Sequence, residues 1–411
     1  MSDRAVPNSS GQPDVTPVRQ GWWLLLAVVA FAASVLVSLR AQWWRGYIDL
    51  LVYRNGAQAW LDGNDLYGEL PQVLGIHLPF TYPPLAALFF TPLALLPLTA
   101  AAVVMIALSV LSLGVTLWLV LVRIRPELPR AAVLALVIGA VAVAQLLEPV
   151  RQTLGFGQIN LLLMAAVTAD CLVRKPFWPR GMLIGIAISI KLVPAAFLLY
   201  FLLRRDWQAL RNIGISAVAA VGAGFLLFPK DSVQYWFHTV TDTGRIGSPH
   251  FAGNQSLKGM LFRLGLDTPV ATALWLTLSA VALALAVVWM RRLLDEGATV
   301  TALLVNAFAL LLVSPVSWSH HWVWTAPALL VAASAIERGN RNPWFLGAVA
   351  AFAALLLIGP QWHLPWQREL DWTWWQQLVG SSYVLAALAV LIFAAVQSSA
   401  VGVRKAASAA A

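Results

Sequence analysis

The sequence predicts an all-α polytopic membrane protein, a bundle of about ten full transmembrane helices with two broken or re-entrant segments. Three observations carry that prediction. Of 411 residues, 60% are hydrophobic and only 11% are charged, against about 25% charged in soluble domains. Apolar runs recur from end to end, which leaves no polar stretch large enough for a separate soluble domain, so residues 21–400 read as one transmembrane unit. Third, Lys and Arg gather on alternate loops. The net charge of +9 therefore reads as topology, and nothing in the chain resembles a nucleic-acid module. Cys171 is the single cysteine, which excludes an internal disulfide and any cysteine-based metal cluster.

The elements follow in order. MSDRAVPNSSGQPDVTPVRQ (1–20) is polar and reads as a disordered cytoplasmic N-terminus. It is too long and mixed for the n-region of a signal peptide. GWWLLLAVVAFAASVLVSL behind it is long enough to span. Full crossings are expected at 22–39, 99–122, 131–147, 159–173, 209–228, 268–290, 298–313, 320–336, 344–359 and 378–397, followed by a cytoplasmic tail at 401–411. Two runs fit a simple crossing badly. LPFTYPPLAALFFTPLALLP (78–97) is crowded with proline, and GMLIGIAISIKLVPAAFLLYF (181–201) carries Lys191 and Pro194 at its centre. Proline breaks the helical ladder. At membrane depth such breaks are tolerated where they line a cavity, so both runs read as broken or re-entrant pairs.

Placing the N-terminus in the cytoplasm puts 17 of the 27 Lys and Arg on that side, in VRIRPELPR, VRKPFWPR, RRDWQALR, MRRLLDE, IERGNR and both termini. Positive-inside supports that orientation. A simple crossing at 78–97 would invert every later loop, so the re-entrant reading is preferred. The extracytoplasmic face then receives 40–80, 148–158, 229–267, 360–377 and the SPVSWSHH turn, together with many of the 20 tryptophans. Those tryptophans suit a headgroup-depth aromatic belt or stacking on sugar rings.

That face holds the candidate chemistry. Asp49, in WWRGYIDLLVYRNG, is a helix cap or a partner of Arg45 or Arg54, or else a general base at the membrane surface. Asp62 and Asp65, in LDGNDLYG, read as turn residues. His320 and His321 lack metal-ligand spacing; they read as hydrogen bonding or charge aimed at a phosphate or sugar hydroxyl, or as a histidine satisfied by backbone. In LGFGQINLLLM, Gly155 and Gly157 permit close approach, Gln158 and Asn160 bring amides to a helix start, and Glu148 with Arg151 reads as a structural ion pair. Lys191 is an intramembrane charge at a predicted helix break, a site for a lipid phosphate or a snorkelling side chain. GRIGSPHFAGNQSLKGMLFR (244–263) is basic and rich in amides, with Arg245, Asn254, Gln255, Lys258 and Arg263, and suits an anionic group.

DLLVYRNGAQAWLDGNDLYG, FTYPPLAALFF, GFGQINLLLM, IAISIKLVPAAFLL, NQSLKGML and SPVSWSHHWVW, taken together and in this order, resemble the polyprenyl-phosphate-mannose-dependent α-(1→2)-mannosyltransferases of actinobacteria, glycosyltransferase family 87. The resemblance covers about residues 40 to 336 and is closest to the phosphatidylinositol mannoside branch. It implies a GT-C fold in the plasma membrane with an extracytoplasmic active site. It also implies a polyprenyl-phosphate-mannose donor and a phosphatidylinositol mannoside acceptor among membrane lipids, with no cofactor and no metal. Asp49 falls on the family's first-loop aspartate, Lys191 on its lysine, and His320 and His321 on its SWSHHW run. Arg54, Gln158, Asn160, Asn254, Gln255 and Lys258 are expected to contact donor phosphate or substrate. The alternatives are another GT-C enzyme with a polyprenyl-phosphate donor, such as an arabinosyltransferase or a mannan-branching transferase, and a lipid-linked-sugar transporter.

Overall fold

The structure, a computed structural model, describes residues 17–394. Residues 1–16 of the expected disordered N-terminus and the expected tail 401–411 lie outside it. Helix α1 (Pro17–Arg40) precedes the short α2 (Ile48–Leu61). An extended stretch leads to α3 (Leu85–Leu95) and the long α4 (Leu98–Ile124). Helix α5 (Arg130–Ala144) bends by 80° into α6 (Glu148–Phe156), and α7 (Asn160–Leu172) follows. Helix α8 (Met182–Ile188) stops, and the chain resumes as a 3-10 turn at Val193–Phe197 and α9 (Leu198–Leu203). Next come α10 (Trp207–Leu227), α11 (Pro229–Phe237), an irregular loop and α12 (Leu257–Arg263). Helices α13 (Thr268–Asp295) and α14 (Thr299–Val313) pack as a hairpin. A 3-10 turn at Ser319–Trp324 enters α15 (Thr325–Glu337), followed by α16 (Pro343–Ile358), α17 (Trp374–Gly380) and α18 (Ser382–Ala394). No strand occurs among the described residues beyond two isolated bridges.

This is an all-helical, multi-pass membrane protein, and the count of ten full crossings is corrected. Among the described residues four helices, α1, α4, α10 and α13, are long and apolar enough to cross, or six spans if the bent pairs α5–α6 and α17–α18 each count as one. The physical reason is length. Helices α5, α7, α14, α15 and α16 have 15, 13, 15, 13 and 16 residues. At about 1.5 Å per residue they fall short of a core about 30 Å thick. Past α5 the apolar Leu146 and Leu147 continue, but the backbone bends by 80°.

The two proline-rich runs do break. Helix α3 has 11 residues with Pro92 inside it, a rise of only about 16 Å. The break between α8 and α9 spans Ser189–Leu192 and places Lys191 off any helix. There Asn306 of α14 donates through Nδ2 to the Ala196 carbonyl at 3.2 Å, pinning the broken segment to its neighbour.

Two apolar cores result. The larger joins α4, α5, α7, α9 and α14 around Trp322, Phe197 and Tyr200. The smaller wraps α2 and α3 around Tyr53, Phe80 and Phe90, with the Tyr53 and Phe90 rings stacked at 3.9 Å. Gly56 makes this core possible, since a Cβ there would sit 2.3 Å from the Phe80 ring. The functional residues lie where the two cores meet.

Candidate active site

Two glycines set the position of α2. Gly155 sits where a Cβ would come 2.4 Å from the Trp43 carbonyl oxygen, and Gly157 where one would come 2.7 Å from Leu50 Cβ. Gly157 also has φ +65° and ends α6 in the left-handed region. The Gly155 carbonyl accepts from Tyr47 N–H at 3.2 Å. The approach of α6 therefore fixes the first turn of α2, and Asp49 stands in that turn. Gly157→Ala is expected to weaken stability by about 1–2 kcal/mol from backbone strain alone. It should also lower the transfer rate by displacing Leu50 and its neighbour Asp49. Thermal unfolding in detergent and kcat check the two effects separately.

Asp49 lines a cavity of about 540 Å³ together with Tyr82, Gln158, Lys191, Trp318 and His321. No ion pair joins it to Arg45 or Arg54 among the described residues. Burial raises its carboxyl above the usual carboxylate range, and the nearby Lys191 ammonium opposes that rise.

Lys191 donates to Asn160 Oδ1 at 2.9 Å and lies 3.4 Å from His321 Nε2 and 5.8 Å from the centre of the Tyr82 ring. Asn160 bridges the site: its Nδ2 donates to the His320 carbonyl at 3.0 Å, which also accepts from Thr153 Oγ1 at 2.9 Å. Helix α7 thereby ties the lysine to the histidine turn. A lysine ammonium carries only donors, so His321 Nε2 accepts and the ring proton sits on Nδ1. Burial, reinforced by Lys191, pushes the His321 pKa well below its ordinary value. His320 is buried, its ring edge-on to both Phe156 and His321.

The other expected contacts divide. Gln158 reaches the cavity, but its amide is engaged: Oε1 accepts from the Tyr53 hydroxyl, and Nε2 donates to the Tyr82 hydroxyl at 3.4 Å. Arg54 donates to the carbonyls of Leu93 and Leu96 and closes the end of α3. Asn254 clamps the 244–263 loop to the histidine turn, donating to the Pro249 and Pro315 carbonyls and accepting from Ser317 N–H at 3.0 Å. Gln255 donates to the Ala252 and Gly380 carbonyls. Lys258 stands 5.0 Å from the centre of the Trp275 ring. None of these last four lines the cavity. Asp62 accepts from Gln58, and Asp65 from the Tyr67 N–H two residues on, as turn residues do.

The expected Glu148–Arg151 ion pair is corrected. Arg151 lies 4.6 Å from the centre of the Trp43 ring. Glu148, fully buried, accepts from Ser319 Oγ at 2.7 Å, Trp362 Nε1 at 2.6 Å and the Tyr383 hydroxyl at 2.9 Å. Three donors converge on the buried carboxylate, while the half-buried Arg151 lies against Trp43 instead. Glu148→Ala removes the shared acceptor, at about 1–3 kcal/mol for each buried donor left unpaired. A clearly lower thermal midpoint in detergent is expected, with Glu148→Gln losing less because it keeps an acceptor. Tyr53 and Tyr82 were not singled out by sequence as contacts of this site; the signal for Tyr53 is its place four residues after Asp49 on one helix face.

The fold defines the class first: an integral-membrane protein. The description of glycosyltransferase family 87 matches residues 80–315, and the chain belongs to that family. It is similar to a polyprenol-phosphate-mannose-dependent alpha-(1-2)-phosphatidylinositol mannoside mannosyltransferase of Mycolicibacterium smegmatis, 42% identical over 97% of this chain and 94% of that one. The Mycobacterium tuberculosis protein of the same name is 41% identical over 92% and 91%. A pentamannoside mannosyltransferase of Mycobacterium tuberculosis, dependent on the same donor, is 30% identical over 90% and 85%. No solved structure matches the chain.

Proposed function

We infer that the chain transfers mannose from a polyprenyl-phosphate-mannose donor to a phosphatidylinositol mannoside, forming an α-1,2 linkage by inversion on the extracytoplasmic face of the plasma membrane, within a GT-C fold whose termini are cytoplasmic. The single observation that carries the reading is that Asp49, Lys191 and His321 line one cavity. The names of the similar mannosyltransferases support the donor and acceptor, and the cavity volume suits a sugar with its phosphate.

The cavity lining supports the following roles. Asp49 is the cavity carboxylate whose charge Lys191 opposes, and it removes the proton of the acceptor 2-hydroxyl. The oxygen attacks the mannosyl C1, the C1–O bond to the phosphate breaks, and β becomes α. The transition state has oxocarbenium character. Lys191 and the Nδ1–H of His321 stabilise the charge that gathers on the departing prenyl phosphate. A phosphate leaves as an anion, so no second carboxylate acid is required. Side-chain cations and donors supply the stabilisation, so no metal enters the steps.

Purified protein given a short-chain polyprenyl-phosphate-mannose and candidate phosphatidylinositol mannosides is expected to yield a product one hexose heavier by mass spectrometry, with an α-1,2 linkage. Transfer is expected to survive a divalent-metal chelator. Failure to transfer to any such acceptor overturns the reading, and strict metal dependence overturns the roles given to Lys191 and His321. Cysteine labelling of 40–80 from outside intact cells tests the sidedness.

A further inference from the structure

The cavity holds a second strong cation whose role the transfer step leaves open. Arg245 lies on the loop between α11 and α12, half-buried, and lines the cavity with Trp318, Tyr235 and Asp242. Its guanidinium is oriented by neutral groups alone: NH2 donates to the Tyr67 carbonyl at 3.2 Å, NH1 to Thr239 Oγ1 at 3.4 Å, and the group sits 5.9 Å from the centre of the Tyr67 ring. No carboxylate pairs with it within 4 Å among the described residues. The nearby Asp242 instead turns back to accept from Gly244 N–H at 3.1 Å. The loop is anchored to the reacting end of the cavity. Gly247, at φ +133°, lets the backbone rest against the Trp318 ring, where a Cβ would lie 3.2 Å away. Trp318 also pairs through its backbone with Asn254, next to the histidine turn.

An arginine held by neutral acceptors keeps its full charge and its fork of donors for an anion, and that fork matches a phosphate. Lys191 lines the cavity from a different element, the broken segment between α8 and α9, and the transfer step assigns it to the leaving phosphate. We propose that Arg245 binds the phosphodiester of the acceptor lipid, forming a second anion subsite in the cavity that selects phosphorylated mannolipids over neutral mannosides. This rests on the acceptor class stated above. Trp318, which lines the same cavity, offers a ring for stacking on a mannose or the inositol.

The test compares two acceptors, a phosphatidylinositol mannoside and a neutral alkyl mannoside, with donor in excess. The wild type is expected to prefer the phosphorylated acceptor in kcat/KM. Arg245→Ala is expected to raise KM for that acceptor about tenfold or more, so that the preference collapses, and Arg245→Lys is expected to retain part of it. The Lys variant also answers for a poorly folding Ala protein. A preference that survives both substitutions overturns the subsite, and a selective rise in donor KM overturns the acceptor assignment by giving the arginine to the donor phosphate. A wild type that transfers no mannose overturns the functional reading and the subsite with it. A wild type that transfers, with no loss of preference in the variants, overturns the subsite alone.

Discussion

Replacing Asp49 by Asn is expected to leave a folded protein that still binds donor and transfers mannose about 10²–10⁴-fold more slowly. The amide keeps the shape and the contacts of the first turn of α2, so Gly155 and Gly157 can still seat it. It cannot take a proton. Asp62→Asn and Asp65→Asn, in a turn whose carboxylates bond locally, are expected to retain activity. The pH profile gives a second check. Burial raises the Asp49 carboxyl, so the base is lost by protonation as pH falls through a value above the ordinary carboxylate value near 4. The acid limb of kcat/KM is therefore expected higher than for an exposed aspartate, and absent from the residual activity of Asp49→Asn. A fully active Asn variant removes the aspartate from the chemistry.

Lys191→Ala is expected to cost about 10²–10³-fold in rate, on the scale of losing one preorganised donor to a developing negative charge. The loss should fall on donor binding as well as on kcat, because the ammonium meets the phosphate in both states. Lys191 is well supported for this: Asn160 holds Nζ at 2.9 Å and the broken helix leaves it free to face the cavity. Asn160→Ala is expected to reproduce part of the loss, since it frees both the lysine and the His320 carbonyl. Single-turnover rates and donor affinity, measured for both variants, separate positioning from direct contact. Unchanged donor affinity in Lys191→Ala would place the lysine in a structural role.

Much of this site was legible because its signals are local. A lysine three residues before a proline inside an apolar run declares a break, and an aspartate just past a membrane helix, a G-x-G-Q-x-N string and a histidine pair each stand out from their surroundings. What stayed hidden depends on partners far along the chain. Arg54 looks like a phosphate ligand until the carbonyls of Leu93 and Leu96 arrive beneath it, and Asn254 until Pro249, Pro315 and Ser317 surround it. A polar side chain in a membrane protein answers either a substrate or an orphaned carbonyl, and composition cannot tell the two apart. Helix count failed for a related reason. Apolar residues continue from α5 through Leu146 and Leu147, yet the backbone turns by 80° there, because burial inside a bundle tolerates the same residues that a straight span would use.

Glu148 gives the carboxy-terminal quarter an unexpected status. Trp362 and Tyr383 lie beyond the residues 80–315 that match the family, yet both grip the same acid that holds Ser319, immediately ahead of the histidines. Exchanging that quarter between relatives, or trimming it before Tyr383, would loosen a latch on the reaction centre itself, so chimeras meant only to change lipid preference should be expected to alter turnover too.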